Sequence, residues 1–310
     1  GRMRIAFLGT PDFAVPSFEM LIKEGHELAL FTNPDRPKGR HGALTPPPTK
    51  DLAQKHGVPV YQFEKIRLPE GVAALKAFAP ELMVTAAFGQ ILSQENLDIP
   101  PLGCINVHAS LLPKYRGAAP IQWAIINGET VTGVTTMLTE VGLDTGPILL
   151  QKETPIGADE TAGELFDRLA ILGAGLLKET LTALAAGTLT PRPQNEAEAS
   201  RCTMIKKETG RVDFFQPAQR VHNLVRGVSP WPGAYAEMEG ETVKIWKTRL
   251  GQRPEWGEVG ECVIADPKEG LFVQTGKGLI EIIELQFPGG KRMEAKAALL
   301  GHPMRGKRFV

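Results

Sequence analysis

Residues 3–32, MRIAFLGTPDFAVPSFEMLIKEGHELALFT, carry the pattern from which the fold class can be predicted. An apolar run, Met3–Leu8, ends at Gly9, and Phe13–Lys23 then has apolar residues at helical spacing. A second apolar run follows at Glu27–Thr32. Strand, helix and strand in this order are typical of a βαβ unit. We therefore predict an α/β fold, a Rossmann-like and mostly parallel sheet with helices on both faces.

The same alternation continues downstream. Further strands are predicted over Val58–Tyr61, Glu81–Ala87, Cys104–His108 and Thr132–Thr139, and helices over Thr49–Gly57, Pro69–Ala79 and Glu160–Ala186. In open parallel sheets, ligands lie outside the carboxyl ends of the strands. Polar residues at those ends are therefore the first candidates for a site.

After residue 187 the sequence changes character. Thr188–Arg201, TLTPRPQNEAEASR, is polar, holds two prolines and predicts a linker. Short strand-like runs follow, at Val243–Trp246, Gly260–Ala265, Gly270–Thr275 and Gly278–Leu285, after one helical stretch at Pro217–Arg226. They indicate a small β-barrel of the OB-like kind. The predicted domains are 3–187, a linker at 188–204, and 205–310.

Composition excludes several classes of protein. The chain has 310 residues, 42% hydrophobic and 23% charged, as expected of a globular protein. No stretch suggests the ~18 apolar residues of a membrane helix, so we expect no membrane partner. The three cysteines are far apart, which argues against a disulfide framework and fits a cytoplasmic location. No histidine pair has metal-ligand spacing, and we predict no metal.

Net charge is zero, but its distribution is uneven. Residues 1–203 hold 18 Lys and Arg against 22 Asp and Glu, whereas residues 204–310 hold 17 against 13. A basic C-terminal part suits an acidic partner, although ordinary surface variation would also give this difference.

Two polar segments could carry chemistry. In Gly103–Pro120, GCINVHASLLPKYRGAAP, the side chains of Asn106 and His108 alternate along one strand and point to the same face. An amide donor beside an imidazole can stabilise an oxyanion and move a proton. Asp144, in the GLDTG turn, could orient that imidazole. Taken singly, each residue could equally be structural.

Two other enzyme classes are poorly supported. The turn after the first strand, Gly9-Thr10-Pro11-Asp12, has one glycine where a dinucleotide fingerprint needs three, which argues against a nicotinamide dehydrogenase. A serine hydrolase would need a G-x-S-x-G elbow, and the sequence has none.

The combination of these motifs resembles the folate-dependent formyltransferase family. CINVHASLLPKYRGAAPIQ, the downstream VGLDTG and the opening FLGTPDFAVP carry the resemblance, which also includes KKETGRVDF and RGVSPWPGAY near the C-terminus. It implies transfer of the formyl group of 10-formyltetrahydrofolate to the α-amine of methionyl-initiator tRNA. It also implies that Asn106, His108 and Asp144 are the catalytic residues.

The resemblance further implies two binding regions. Folate would contact the segments Ser110, Leu111, Leu112, Pro113 and Phe88, Gly89, Gln90, Ile91, Leu92. The proline-rich basic stretch Asn33–Lys50 would bind the tRNA acceptor stem. The candidate tRNA contacts are Arg36, Lys38, Arg40, Lys206 and Lys207. We take a monomer as the default oligomeric state.

Three alternatives stay open at this point. The same fold could formylate the amine of a sugar nucleotide, or hydrolyse 10-formyltetrahydrofolate with water as acceptor. A non-catalytic RNA-binding module is a third possibility, but it would leave the polar trio without a role. The basic loop and the basic C-terminal part favour RNA as acceptor.

Overall fold

A computed structural model describes residues 1–37 and 42–310, and they form two compact units. The first unit comprises Gly1–Gly117, Thr132–Thr154 and Phe166–Arg201, and the second comprises Ala118–Val131, Pro155–Leu165 and Cys202–Val310. Each unit is assembled from three separate pieces of chain, whereas the predicted domains are continuous ranges. The predicted domain boundaries therefore stay a prediction.

The first unit is built on a seven-stranded sheet in the order β10-β9-β7-β6-β1-β2-β5. Its strands are β1 (Arg4–Gly9), β2 (Glu27–Thr32), β5 (Val60–Gln62), β6 (Leu82–Ala86), β7 (Cys104–His108), β9 (Val131–Leu138) and β10 (Ile148–Pro155). Two-residue strands also occur at β3 (Arg36–Pro37), β4 (Leu44–Thr45) and β8 (Arg116–Gly117). Strand β1 pairs in parallel with β2 and β6, and the outer pairs β2–β5 and β6–β7 are also parallel. Strand β7 pairs with β9 in the antiparallel direction. The predicted mostly parallel sheet is confirmed.

The central strand β1 is buried on both faces of the sheet. Ile5 and Phe7 pack into one core cluster, whereas Ala6 and Leu8 pack into another. Because successive side chains of a strand point to opposite faces, this division requires a covered layer on each side. It explains why β1 reads as a continuous apolar run.

Helices cover the two faces. They are α1 (Val15–Lys23), α2 (Pro48–Lys55), α3 (Pro69–Phe78), α4 (Gln94–Asp98) and, from Phe166 onward, α6 (Ala162–Ala186). Helix α5 (Pro120–Ile126) belongs to the second unit. Ala162–Ala186 is long and apolar enough to cross a membrane by length and composition. However, Leu177 and Leu181 are buried in the core of the first unit, and Phe166 contacts Phe13 edge-on. These contacts are those of a core helix.

The second unit contains an antiparallel sheet in the order β12-β13-β16-β15-β14, with β17 on β16. Its strands are β12 (Ala234–Met238), β13 (Glu241–Gly251), β14 (Cys262–Asp266), β15 (Gly270–Gln274), β16 (Leu279–Gln286) and β17 (Met293–Glu294), and the two-residue strand β11 (Arg201–Cys202) precedes them in the chain. Helices α7 (Ala218–Gly227) and α8 (Ala295–Gly301) contribute Val221 and Leu299 to its core.

The last residues of the chain connect the two outer strands of this sheet. Val310 exchanges two backbone hydrogen bonds with Glu237 of β12, at 2.8 and 3.1 Å. Phe309 donates to the carbonyl of Gly260, and Cys262 of β14 donates to Lys307, both at 2.8 Å. A sheet whose edges are bridged in this way is compatible with the predicted barrel.

Candidate active site

Asn106 lies in β7, near its carboxyl end. Its Nδ2 donates to Thr85 Oγ1 of β6 at 2.8 Å. Its Oδ1 is buried and has no hydrogen-bond partner among the residues that the structure describes. An unpaired buried oxygen costs about 1–3 kcal/mol, so such atoms tend to persist at functional sites. Asn106 is therefore placed to meet a ligand with a polar edge.

His108 is the last residue of β7 and is 8% exposed. Its Nε2 lies 2.9 Å from the carbonyl oxygen of Tyr115, and its Nδ1 lies 3.8 Å from Asp144 Oδ2. A carbonyl can only accept, so Nε2 carries a proton and donates it. A protonated His108 would have an acceptor oxygen beside each ring nitrogen.

Asp144 lies in the turn between β9 and β10, with a φ of 56°. Its Oδ2 accepts a hydrogen bond from the backbone N–H of Gly117 at 2.9 Å. Gly146 allows the turn to approach β9 closely, because a Cβ there would lie 1.7 Å from the Leu138 carbonyl oxygen. The GLDTG sequence thus brings the carboxylate to the imidazole through a turn that needs glycine.

Two residues from the predicted linker hold this turn. Gln194 Nε2 donates to the carbonyl oxygens of Asp144 and Gly146, at 2.8 and 2.7 Å. Gln194 Oε1 accepts from Arg116 Nε and Nη2 at 3.0 and 2.9 Å. Arg116 is 3% exposed and also binds both carboxylate oxygens of Glu196, at 3.0 and 2.8 Å. Hydrogen bonding to Glu196 raises the pKa of Arg116, and Arg116 lowers the pKa of Glu196.

The segment expected to contact folate, Ser110–Pro113, is fixed by buried hydrogen bonds. Thr135 Oγ1 donates to the Ser110 carbonyl at 2.7 Å and accepts from the Leu112 N–H at 3.1 Å. Gln151 Nε2 donates to the Leu112 carbonyl at 2.8 Å. The Ser110 hydroxyl is itself used, since it donates to the Lys114 carbonyl at 2.6 Å. Ser110 and Leu112 are buried, which leaves Leu111 and Pro113 as the more accessible side chains.

The second expected folate segment, Phe88–Leu92, follows β6. The Gln90 side chain is turned inward, where its Oε1 accepts from the Ile66 N–H at 2.8 Å and its Nε2 donates to the Phe63 carbonyl at 2.6 Å. Phe88 is buried, whereas Ile91 is 77% exposed. Gly89 has a φ of 78°. Recognition of a ligand here would therefore use backbone groups and Ile91.

The predicted RNA contacts are distributed over both units. Arg36 is exposed and forms an ion pair with Glu64 at 2.9 Å. Lys206 and Lys207 are exposed at the start of a short 3₁₀ helix in the second unit. Lys38 and Arg40 lie outside the described residues. The contribution of these five residues to RNA binding stays a prediction.

The structure places three further residues beside the candidate active site, Arg116, Gln194 and Glu196. From the sequence, Arg116 belonged to a charged loop, and Gln194 and Glu196 belonged to the predicted linker. Their one sequence signal is a run of polar residues, which equally fits a solvated segment. Within residues 1–37 and 42–310, no group of three His, Cys, Asp or Glu side chains could hold a metal ion.

Comparisons with known proteins give the family. The model for "Formyl transferase" matches residues 3–181, and that for "Formyl transferase, C-terminal domain" matches residues 204–303. Methionyl-tRNA formyltransferase of Ruminiclostridium cellulolyticum is 52% identical over 304 residues, 97% of each chain. The enzyme of that name from Trichlorobacter lovleyi is 50% identical over 302 residues, 97% of this chain and 95% of the other.

Among solved structures, HypX from Aquifex aeolicus in complex with tetrahydrofolic acid matches with a TM-score of 0.66 at 20% identity. The match covers 97% of this chain and 47% of HypX, and at that identity it supports the fold alone. The sequence relatives are closer and cover nearly the whole chain. The chain belongs to the formyl transferase family and, within it, groups with the methionyl-tRNA formyltransferases.

Proposed function

We propose that Asn106, His108 and Asp144 form the centre at which a formyl group passes from 10-formyltetrahydrofolate to the α-amine of methionyl-initiator tRNA. The observation that carries this proposal is the position of His108, whose two ring nitrogens face the Tyr115 carbonyl and the Asp144 carboxylate. Names of relatives at about 50% identity support the acceptor, and they do not favour a sugar amine or water.

The reaction requires charge stabilisation at one carbon. The neutral amine attacks the formyl carbon, a C–N bond forms, and the formyl oxygen becomes an oxyanion in a tetrahedral intermediate. Asn106 Nδ2, whose second hydrogen makes only a 3.5 Å contact with the Thr85 carbonyl, donates to that oxyanion. A protonated His108 donates through Nδ1, since this atom lies 3.8 Å from Asp144 Oδ2, too far for a hydrogen bond. The amine nitrogen then loses a proton, and the bond from the carbon to N10 of the folate breaks as N10 gains one. Formylmethionyl-tRNA and tetrahydrofolate leave.

Each member of the trio has a separate task. Asn106 is held through Thr85, so its donor is preorganised before substrate arrives. Asp144 complements the charge on His108 and helps pass protons between the amine and the folate. Removal of one such donor typically costs about 10²- to 10³-fold in rate, and Asn106→Ala should lose that much.

The donor and the acceptor RNA would be bound by different segments. Ser110–Pro113 and Phe88–Leu92 would form walls for the folate, mainly through backbone groups. Arg36, Lys38, Arg40, Lys206 and Lys207 would contact RNA phosphates, which are bound chiefly through charge. A cytoplasmic monomer is the state we propose for this activity.

The test is formyl transfer from 10-formyltetrahydrofolate with charged initiator tRNA, with uncharged tRNA and without acceptor. We expect formylation of the charged tRNA alone, and its loss in Asn106→Ala and His108→Ala. Folate consumption without tRNA would instead identify a hydrolase. Binding of folate without either reaction would require an acceptor among small amines.

The RNA contacts have their own test. Arg36→Ala and Arg40→Ala should raise KM for charged tRNA, leave KM for folate unchanged and lower the salt dependence of tRNA binding by about one unit of slope each. Lys23→Ala is a matched control, because Lys23 is an exposed cation paired with Glu19. An unchanged KM for tRNA would remove the substituted arginine from the site.

A further inference from the structure

The linker enters the structure of the candidate active site at several points. Residue 194 lies beyond the match to the first family model, which ends at residue 181, and before the second, which begins at residue 204. Between residues 191 and 200, Gln194 and Ala199 are half-buried and the other residues are exposed. A half-buried glutamine in an otherwise solvated stretch indicates that its amide has a particular partner.

Four of the five hydrogen bonds of the Gln194 amide connect loops of the site, and the fifth is a weak one from Nε2 to Met137 Sδ at 4.0 Å. Its two donors both bind carbonyls of the Asp144 turn, and its oxygen accepts twice from Arg116. Asp144 has a φ of 56°, in the left-handed region that few residues other than glycine adopt, although aspartate and asparagine do so more readily than most. The glutamine helps to hold the turn in this conformation.

The same linker also fixes the loop opposite the turn. Ser200 Oγ accepts from the Tyr115 N–H at 2.8 Å, and the Ser200 carbonyl accepts from the Arg116 N–H at 2.9 Å. Tyr115 provides the carbonyl that accepts from His108. Arg192 exchanges two backbone hydrogen bonds with Ile148, at 2.8 and 2.9 Å, which fixes the start of the segment. The loops that carry the two acceptor groups beside the imidazole are therefore held by Gln194 and Ser200.

We propose that Gln194 is a positioning residue that sets the distance between Asp144 and His108, with Arg116 and Glu196 holding it in place. This inference rests on the proposed function of the trio. The Glu196 carboxylate is 72% exposed, so it contributes chiefly to the orientation of Arg116. Gln194 is the member whose removal acts directly on the turn. Misplacement of a reacting group by about 1 Å can cost about 10²-fold in rate.

Two substitutions test the role. Gln194→Leu removes every hydrogen bond of the amide at similar volume, and Gln194→Glu keeps the acceptor for Arg116 but loses the donors to the turn. Both should lower kcat about 10- to 100-fold while KM for folate and tRNA stays within about threefold. Glu198→Leu is the matched control, an exposed residue of the same linker that should keep the native kcat.

A double-mutant cycle identifies the group through which Gln194 acts. On an Asp144→Asn background, Gln194→Leu should lower kcat by less than about twofold, because its effect passes through the charge already removed. The proposal would be overturned if Gln194→Leu lowered kcat on the Asp144→Asn background as much as it does in the unsubstituted chain. It would also be overturned if Gln194→Leu and Gln194→Glu each kept the native kcat.

Hydrogen exchange separates this inference from the proposed function. In Gln194→Leu and Gln194→Glu, the backbone amides of residues 142–146 should exchange faster than in the unsubstituted chain, whatever the acceptor proves to be. Unchanged exchange in that segment would refute the positioning role. Lack of formylation by the unsubstituted chain would refute the proposed function and leave the exchange result intact.

Discussion

Replacement of Asp144 by asparagine isolates the charge beside His108. Asparagine has nearly the same volume, tolerates a φ of 56°, and its amide oxygen can still accept from the Gly117 N–H. The backbone turn should therefore persist, and only the carboxylate charge is lost. A fall in activity can then be assigned to electrostatics rather than to unfolding.

The size of the effect follows from the separation of the two groups. His108 Nδ1 and Asp144 Oδ2 are 3.8 Å apart, and their side chains are 9% and 15% exposed. Unit charges at about 4 Å interact by about 4 kcal/mol at an effective dielectric constant of about 20. That energy corresponds to about 10³-fold in rate if it is used only in the transition state. Because the asparagine dipole retains part of it, we expect kcat to fall about 10²- to 10³-fold.

The assay is steady-state formylation of charged initiator tRNA at saturating folate, with KM measured for both substrates. KM should stay within about threefold of the native value, since the lost interaction belongs to the intermediate. Asp98→Asn, an exposed carboxylate on α4, is the control and should retain native kcat. A kcat for Asp144→Asn within about fivefold of native would refute the electrostatic role, because the Coulomb energy at this distance predicts far more.

Three further predictions concern stability and reactivity. Gly175→Ala should raise the free energy of unfolding by about 0.5–1 kcal/mol, because Gly175 is an exposed position of helix α6 where an added Cβ meets nothing within 4 Å. Gly173→Ala should lower the free energy of unfolding, because its Cβ would lie 2.9 Å from the side chain of a valine in β7; denaturant titration of both variants checks the pair. Gly146→Ala should abolish formylation, because its Cβ would collide with the Leu138 carbonyl and displace the turn that holds Asp144. The far-ultraviolet circular dichroism should stay native, since the change is confined to that turn. A native kcat would contradict the close approach of Gly146 to Leu138. At pH 8, Cys202 alone should react rapidly with a thiol reagent, since burial raises the pKa of the other two thiols to about 11 and about 12, and all three should react after unfolding.

Short-range patterns predicted most elements of the first unit. Glu27–Thr32 and Cys104–His108 are strands at the predicted residues, and the helix predicted over Glu160–Ala186 begins at Ala162. Apolar runs and helical spacing arise because one face of a strand or helix is buried, so these elements can be predicted from a short stretch of sequence. Predicted strand Val243–Trp246 extends over Glu241–Gly251, because its exposed charged residues hide the pattern.

Several elements had no such signal. The strands Ile148–Pro155 and Ala234–Met238 and the helices α4, α5 and α8 were not predicted. Helix α4 has five residues, too few to show a repeat of apolar residues, and it is stabilised by a capping box of Ser93 and Asn96 and by the burial of Leu97. Ala295–Gly301 has seven residues and depends on its contacts with the core of the second unit. Their stability comes from contacts that the local pattern does not report.

For this chain, the sequence by itself determined the fold class and the candidates Asn106, His108 and Asp144, which follow from residue types at strand and turn positions. Only the tertiary structure decided which groups surround them. Gln194 is 50 residues from the Asp144 carbonyl that it binds, and Arg116 is 80 residues from Glu196. Contacts between residues so far apart in the chain produce no periodic pattern in the sequence, because the intervening chain can fold in many ways. Their geometry is set by the packing of the whole sheet, which is why a segment that looks like a solvated linker holds the candidate active site in place.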